Sequence, residues 1–231
     1  MKKINILILT TLLALCSTPS MAQIAVGVSG GYTYNTLDAE VGYYYTMDYK
    51  SRGGYSVSLP VEYSFAGQGV EWLALRVEPS LITKNYTYER LYGTYIVDQQ
   101  NYTNAFVDLP IMAKFAIQSG RFTGYLNAGG YIGYWASSSS FGYYSTFEYQ
   151  DFTHIYFDER IEFDSRKDNR FEAGLVLGLG VEYEITQRVG CFVEAKYMHS
   201  LTDMQKDYMI NQYPRYNSTI LAQVGVMYRF K

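Results

Sequence analysis

The sequence predicts an all-β chain: one eight-stranded, antiparallel, up-and-down transmembrane β-barrel with short periplasmic turns and long extracellular loops. Three observations predict it. Eight segments alternate apolar and polar residues at period two, the mark of a strand with two unlike faces. The apolar side of each is large and aliphatic or aromatic, while the other side is Gly, Ser and Ala with isolated charges. The links between segments alternate strictly between short and long, as an outer-membrane barrel requires.

Ahead of the first strand stands a processing signal. MKK is a basic start, INILILTTLLAL an apolar stretch too short to span a bilayer comfortably, and STPSMA places Ser20 and Ala22 at small-residue cleavage positions. Residues 1–22 are therefore read as a cleaved signal and 23–231 as the barrel domain. Leu15 stands where a lipobox wants Gly, Ala or Ser, which argues against lipidation of Cys16. Cleavage removes Lys2 and Lys3, taking 19 basic residues to 17 against 22 acidic ones, a balance of −5. With no basic stripe, nucleic acid is excluded as a partner. Cys191 is left as the lone cysteine, on the apolar parity of its segment, so it reads as a small apolar residue rather than a reactive thiol.

Strand one, QIAVGVSGGYTYN, sets Ile24, Val26, Val28, Tyr32 and Tyr34 against Ala25, Gly27, Ser29 and Gly31. Strand two, GYSVSLPVEYSF, sets Tyr55, Val57, Leu59, Val61, Tyr63 and Phe65 against Ser56, Ser58, Pro60, Glu62 and Ser64. Strand three, within EWLALRVEPSLITK, sets Leu73, Leu75, Val77 and Leu81 against Ala74, Arg76, Glu78 and Ser80. Strand four sets Val107, Leu109, Ile111, Ala113 and Phe115 against Asp108, Pro110, Met112 and Lys114. Strand five sets Phe122, Leu126, Ala128, Ile132 and Tyr134 against Thr123, Tyr125, Asn127 and Gly129. Strand six, FEAGLVLGLGVEYEI, is the longest clean alternation; strand seven is RVGCFVEAKYM and strand eight TILAQVGVMYRF.

A soluble sandwich would turn its polar face to water. Here that face is too small and too sparsely charged, whereas small residues suit the crowded inside of a narrow barrel and aliphatics suit lipid. Several runs reach the roughly 9–11 residues that cross a bilayer as a tilted strand. Lipid offers backbone groups no partner, so the sheet must close. The links AGQG (66–69), QSGR (118–121) and TQR (186–188) are short; those near 36–52, 89–102, 136–168 and 200–216 are long.

The inward parity carries Glu62, Arg76, Glu78, Asp108, Lys114, Glu172, Glu182, Glu194, Lys196 and Arg229. Mixed signs in a narrow lumen predict a satisfied structural ion-pair network, since unpaired buried charges are costly. The long links are rich in tyrosine, a large contact area with little rotamer entropy to lose. Tyr43, Tyr44, Tyr45, Tyr92, Tyr95, Tyr143, Tyr144, Tyr156 and Tyr213 form a candidate recognition surface for an extracellular glycan or protein. The same tyrosines also suit strands that simply extend beyond the membrane. His154 and His199 are the two histidines, with Ser200 beside the second and Asp151, Asp158 and Glu159 near the first. No HExxH, GxSxG, phosphate-loop or metal-ligand spacing occurs, so neither metal nor cofactor is expected and the chain reads as non-enzymatic. A small channel or secretion-associated component, and a lipid- or peptide-acting hydrolase, are the alternatives.

The segments VDLPIMAKF (107–115), AGLVLGLGVEYEI (173–185), FVEAKYMHSL (192–201) and VGVMYRF (224–230) resemble Bacteroidetes-type outer membrane β-barrel proteins, the PorT-like relatives of the OmpA and OmpX barrels. The resemblance implies a cell outer membrane location, outer membrane lipid and lipopolysaccharide as neighbours, and insertion by the barrel-assembly machinery. In that family the assembly signal is a terminal aromatic, which here is Phe230, followed by Lys231.

Overall fold

The computed structural model describes residues 24–39, 47–65, 70–92, 95–148, 151–206 and 214–230, so the expected signal lies outside the described residues. Twelve strands form one antiparallel sheet: β1 (Ile24–Ala39), β2 (Met47–Ser58), β3 (Val61–Ser64), β4 (Leu73–Val77), β5 (Ser80–Thr83), β6 (Tyr86–Tyr92), β7 (Tyr95–Ser119), β8 (Phe122–Glu148), β9 (Asp151–Arg160), β10 (Phe171–Glu184), β11 (Val189–Ser200) and β12 (Arg215–Arg229). They make eight staves, because β2 with β3 and β4 with β5 and β6 each continue one line, and β9 folds back on the outer part of β8. β12 closes on β1 from Ala25↔Arg229 to Ala39↔Arg215, and the Phe230 amide donates to the Ile24 carbonyl at 2.8 Å. Closure removes both edges within the membrane.

The second and third segments, read as single strands, are each interrupted at a proline. Pro60 and Pro79 lack an N–H and cannot donate to the ladder. Their carbonyls still accept, Pro60 from Gly27 at 2.8 Å and Pro79 from Leu59 at 2.9 Å, so the stave holds its line across the gap. In the links near 89–102 and 136–168 the strands extend beyond the membrane, the second of the two readings their tyrosines allow. They are hairpin extensions, β6 against β7 and β8 against β9, because alternating Tyr, Thr, Phe and Ile favour cross-strand pairing over coil. At the periplasmic end the β7–β8 turn is tight, and Gly120 takes φ 61°, the left-handed region that favours glycine. The third short link, 66–69, lies outside the described residues.

Polarity is inverted relative to a water-soluble fold. Leu179 is 67% and Ile117 80% exposed, whereas Asn35, Asn127 and Lys84 are 0% exposed. The exposed aliphatics form the lipid-facing belt, and the buried groups line the lumen.

The lumen's small residues have a specific partner. Tyr125 lies across Gly180, Phe192 across Gly225 and Tyr131 across Gly174, each ring covering its cross-strand neighbour. A Cβ on any of these glycines would run into the ring. Gly180→Val is therefore expected to cost about 1–3 kcal/mol as Tyr125 is displaced. Gly124→Val, with nothing within 4 Å of its added Cβ, should stay within about 0.5 kcal/mol of wild type. Urea unfolding from phospholipid vesicles measures both.

Candidate functional site

Building upward from the periplasmic mouth, Arg229 Nη2 pairs with Glu182 Oε1. Lys114 Nζ lies 2.9 Å from both oxygens of Glu62 and 3.3 Å from Glu182 Oε2. Arg76 then joins three carboxylates: Glu62 at 3.3 Å, Glu78 at 2.9 Å and Glu194 at 3.1 Å. Lys196 Nζ sits 2.5 Å from Glu78 Oε2, and Ser58 donates to Glu78 Oε1 at 2.7 Å. Asn127 and Gln223 donate to Glu194 at 2.5 and 2.9 Å. Apart from Glu78, in the break between β4 and β5, these residues come from β2, β3, β4, β7, β8, β10, β11 and β12, so the network ties the staves across the lumen.

A second centre lies higher. Lys84 Nζ is 2.9 Å from Asp108 Oδ2 and 2.9 Å from Glu172 Oε2, while Tyr131 donates to Glu172 Oε1 at 2.6 Å. The Lys84 ammonium also faces the rings of Phe106 and Tyr131 at 4.6 and 4.8 Å. Sequence reasoning missed Lys84. It closes the third segment and continues the inward parity of Arg76, Glu78 and Ser80, a signal that could have placed it among the lumen charges.

Around Lys84 an apolar cluster fills the lumen, with Asn35, Asn104, Asn217 and Ser138 buried and hydrogen-bonded beside it. Leu37, Ile82, Tyr86, Phe106, Met112, Trp135, Val176 and Met198 pack together with Met204, and Phe163 stands edge-on to Trp135 at 4.8 Å. Met204 and Phe163 come from the long links. They are held there because 167–169 and 204–206 pair, with Asn169 N bonding Met204 O at 2.9 Å and Lys206 N bonding Lys167 O at 2.8 Å. The polar cavity lined by Glu62, Lys114, Glu182 and Arg229 is confined to the periplasmic mouth, with a volume of about 270 Å³.

Outside the membrane, the ends of β2, β6, β7, β8 and β9 form a five-stranded sheet. Lys50 pairs with Glu89 at 2.6 Å. Burial alone would raise Glu89, but hydrogen bonds from Lys50 and Gln99 outweigh it and hold the carboxyl below its ordinary range. Tyr143, Tyr144 and Tyr156 lie on β8 and β9, within this sheet rather than on loops; Tyr156 is 75% exposed. Tyr92 and Tyr95 are strand residues paired with each other, and Tyr43, Tyr44, Tyr45 and Tyr213 lie outside the described residues.

β9 pairs with β8 alone, so its other side is a free edge among the described residues. Just beyond it the Ile161 amide donates to Ser138 O at 3.0 Å. Hydrogen-bonded pairs alternate along an antiparallel ladder. Odd-numbered residues of β9 therefore bond β8, and the backbone groups of His154, Tyr156 and Asp158 point away from it.

The histidines form two hydrogen-bonded sets. His154 Nδ1 meets Ser145 Oγ at 2.8 Å, cross-strand and exposed. His199 Nδ1 meets Ser218 Oγ at 2.9 Å, and Ser218 donates to Asp38 Oδ2 at 2.7 Å. In the second set the hydroxyl, not the imidazole, stands in the middle. A base that activates a serine has the imidazole between hydroxyl and carboxylate, and neither set has that order. Cys191 is free and half-buried.

No curated protein matches the chain. Among solved structures it is similar to the outer membrane protease OmpT of Escherichia coli (10% identity, TM-score 0.55, covering 90% of this chain and 97% of that one). It is also similar to a major outer membrane protein of Thermus thermophilus (14%, 0.50, 91% and 100%). A further likeness is to Ail, the attachment invasion locus protein of Yersinia pestis (13%, 0.41, 91% and 100%). At these identities the likeness is one of fold. The family model described as "Outer membrane protein beta-barrel domain" matches residues 18–206, with β12 beyond it completing the ring. The chain belongs to that outer membrane β-barrel family, and its site is the cell outer membrane.

Proposed function

We propose that this protein is a non-enzymatic surface-interaction barrel whose outer sheet offers its free edge, β9, to an extended polypeptide. The observation that carries this reading is the unpaired row of backbone groups at His154, Tyr156 and Asp158, well outside the lipid belt. Ten residues at about 3.3 Å each give an edge of about 33 Å, a template for strand addition. The ion-paired lumen acts as a rigid post for that sheet. A buried Lys84 in a lumen filled by packed side chains favours this over conduction, and the hydroxyl-centred His199 set favours it over hydrolysis. The likeness of the motifs at 107–115 and 173–185 to the Bacteroidetes-type, PorT-like barrels supports a kinship with that group. Phe230, 54% exposed beside Tyr228, is the aromatic read by the barrel-assembly machinery. Lipid and lipopolysaccharide are the lateral neighbours.

Hydrogen exchange on the full chain in lipid nanodiscs tests the edge, with a ten-residue peptide alternating Thr and Lys as probe. Amides of His154, Tyr156 and Asp158 should exchange fast alone and slow at least several-fold with the peptide. Tyr156→Pro should abolish the protection, since proline on an edge strand blocks pairing without breaking the inner ladder. Equal peptide binding to wild type and Tyr156→Pro would refute the reading.

A further inference from the structure

The free edge of β9 is complementary to itself, and we propose that the strand it takes is the β9 of a second copy of this chain, anchored in a facing membrane. This rests on the edge-recognition reading above and names its partner.

Symmetry restricts how two copies can pair. Two identical antiparallel strands are related by a twofold axis perpendicular to their sheet, and that axis requires one residue to face its own copy. The outer sheet continues the barrel wall, so such an axis lies parallel to the membrane and turns the second barrel upside down. Two copies side by side in one membrane would bring their β9 edges together parallel instead. Antiparallel pairing therefore joins opposing membranes.

The side chains select the register. With Tyr156 opposite Tyr156, His154 faces Asp158 twice, Ile155 faces Phe157 twice and Thr153 faces Glu159 twice. No like charges oppose. Centring on Ile155 instead sets two acidic positions, 151 and 159, against each other; centring on Phe157 sets His154 against Arg160 and Ile155 against Glu159. Like charges directly opposite disfavour a pairing, and apolar and opposite-charge pairs favour it. The backbone agrees with the Tyr156 register. The N–H and C=O of Tyr156 point to the free edge, so the two tyrosines exchange both bonds. The His154 ring is held through Nδ1 by Ser145, leaving Nε2 for the facing Asp158, which has no side-chain partner among the described residues.

The test uses the full chain carrying Cys191→Ala, reconstituted into two phosphatidylcholine vesicle populations with different dyes and epitope tags. Two-colour colocalisation and light scattering should show tethering by the chain with Tyr156 intact. Tyr156→Pro should lower it to the level of protein-free vesicles, while the β8–β9 hairpin persists because the lost N–H faces away from β8. Tyr156→Cys should form a disulfide between differently tagged chains on different vesicles, a separation of about 5.5 Å between paired Cα atoms being within disulfide reach. Ile155→Cys should not. If vesicles fail to tether but the Thr–Lys peptide still binds in a Tyr156→Pro-sensitive way, the second-copy partner is wrong and the edge reading stands. If neither occurs, both fall. Cross-links confined to chains within one vesicle would overturn the facing-membrane geometry.

Discussion

Lys84→Met is expected to lower the stability of the barrel by about 3–5 kcal/mol, because it strands Asp108 and Glu172 in a buried site without their shared cation. Methionine is close to lysine in length and keeps contact with the Phe106 and Tyr131 rings, so the loss reports charge rather than a cavity. The measurement is the urea midpoint for unfolding from phospholipid vesicles, followed by the shift in gel mobility on heating. Adding Asp108→Asn and Glu172→Gln should recover most of the loss, since a buried pair replaced as a unit leaves no orphan charge. A single variant as stable as wild type would mean that Lys84 does not hold this centre.

Leu177→Arg, near the middle of the outward row of β10, is expected to cost about 2–4 kcal/mol in a bilayer although Leu177 is 53% exposed. In a water-soluble sheet the same change on an exposed face would cost little. The variant therefore reads out the solvent that surrounds the barrel. The penalty should fall towards about 0–1 kcal/mol for Ile185→Arg, at the periplasmic end of the same row, where the side chain reaches the interface. Equal effects at the two positions would remove the depth dependence that hydrocarbon imposes.

The division between these two sites follows what could be read along the chain. The parity that makes Leu177 face lipid and Glu182 face the lumen is written in successive residues, since each strand residue turns its side chain opposite to the last. Eight such runs, with the alternation of short and long links, are enough to specify a closed barrel. Lys84 shows where this stops. Its parity was continuous with Arg76, yet that its ammonium meets Asp108 and Glu172 on two other staves depends on register, which no local pattern records. The hairpin extensions were equally hidden, because tyrosine suits an exposed loop and a strand alike, and only the pairing of β8 with β9 decides between them.

What the sequence determined by itself was the barrel, its lipid face and its charged interior. Those depend on the period of a strand and on the contrast between oil and water, both local properties. Only the tertiary structure decided which charges meet, that Met204 and Phe163 cap the lumen, and that β9 keeps one edge open. These depend on register and closure, where residues as distant as Arg76 and Glu194 are brought together by the tilt of all the staves at once.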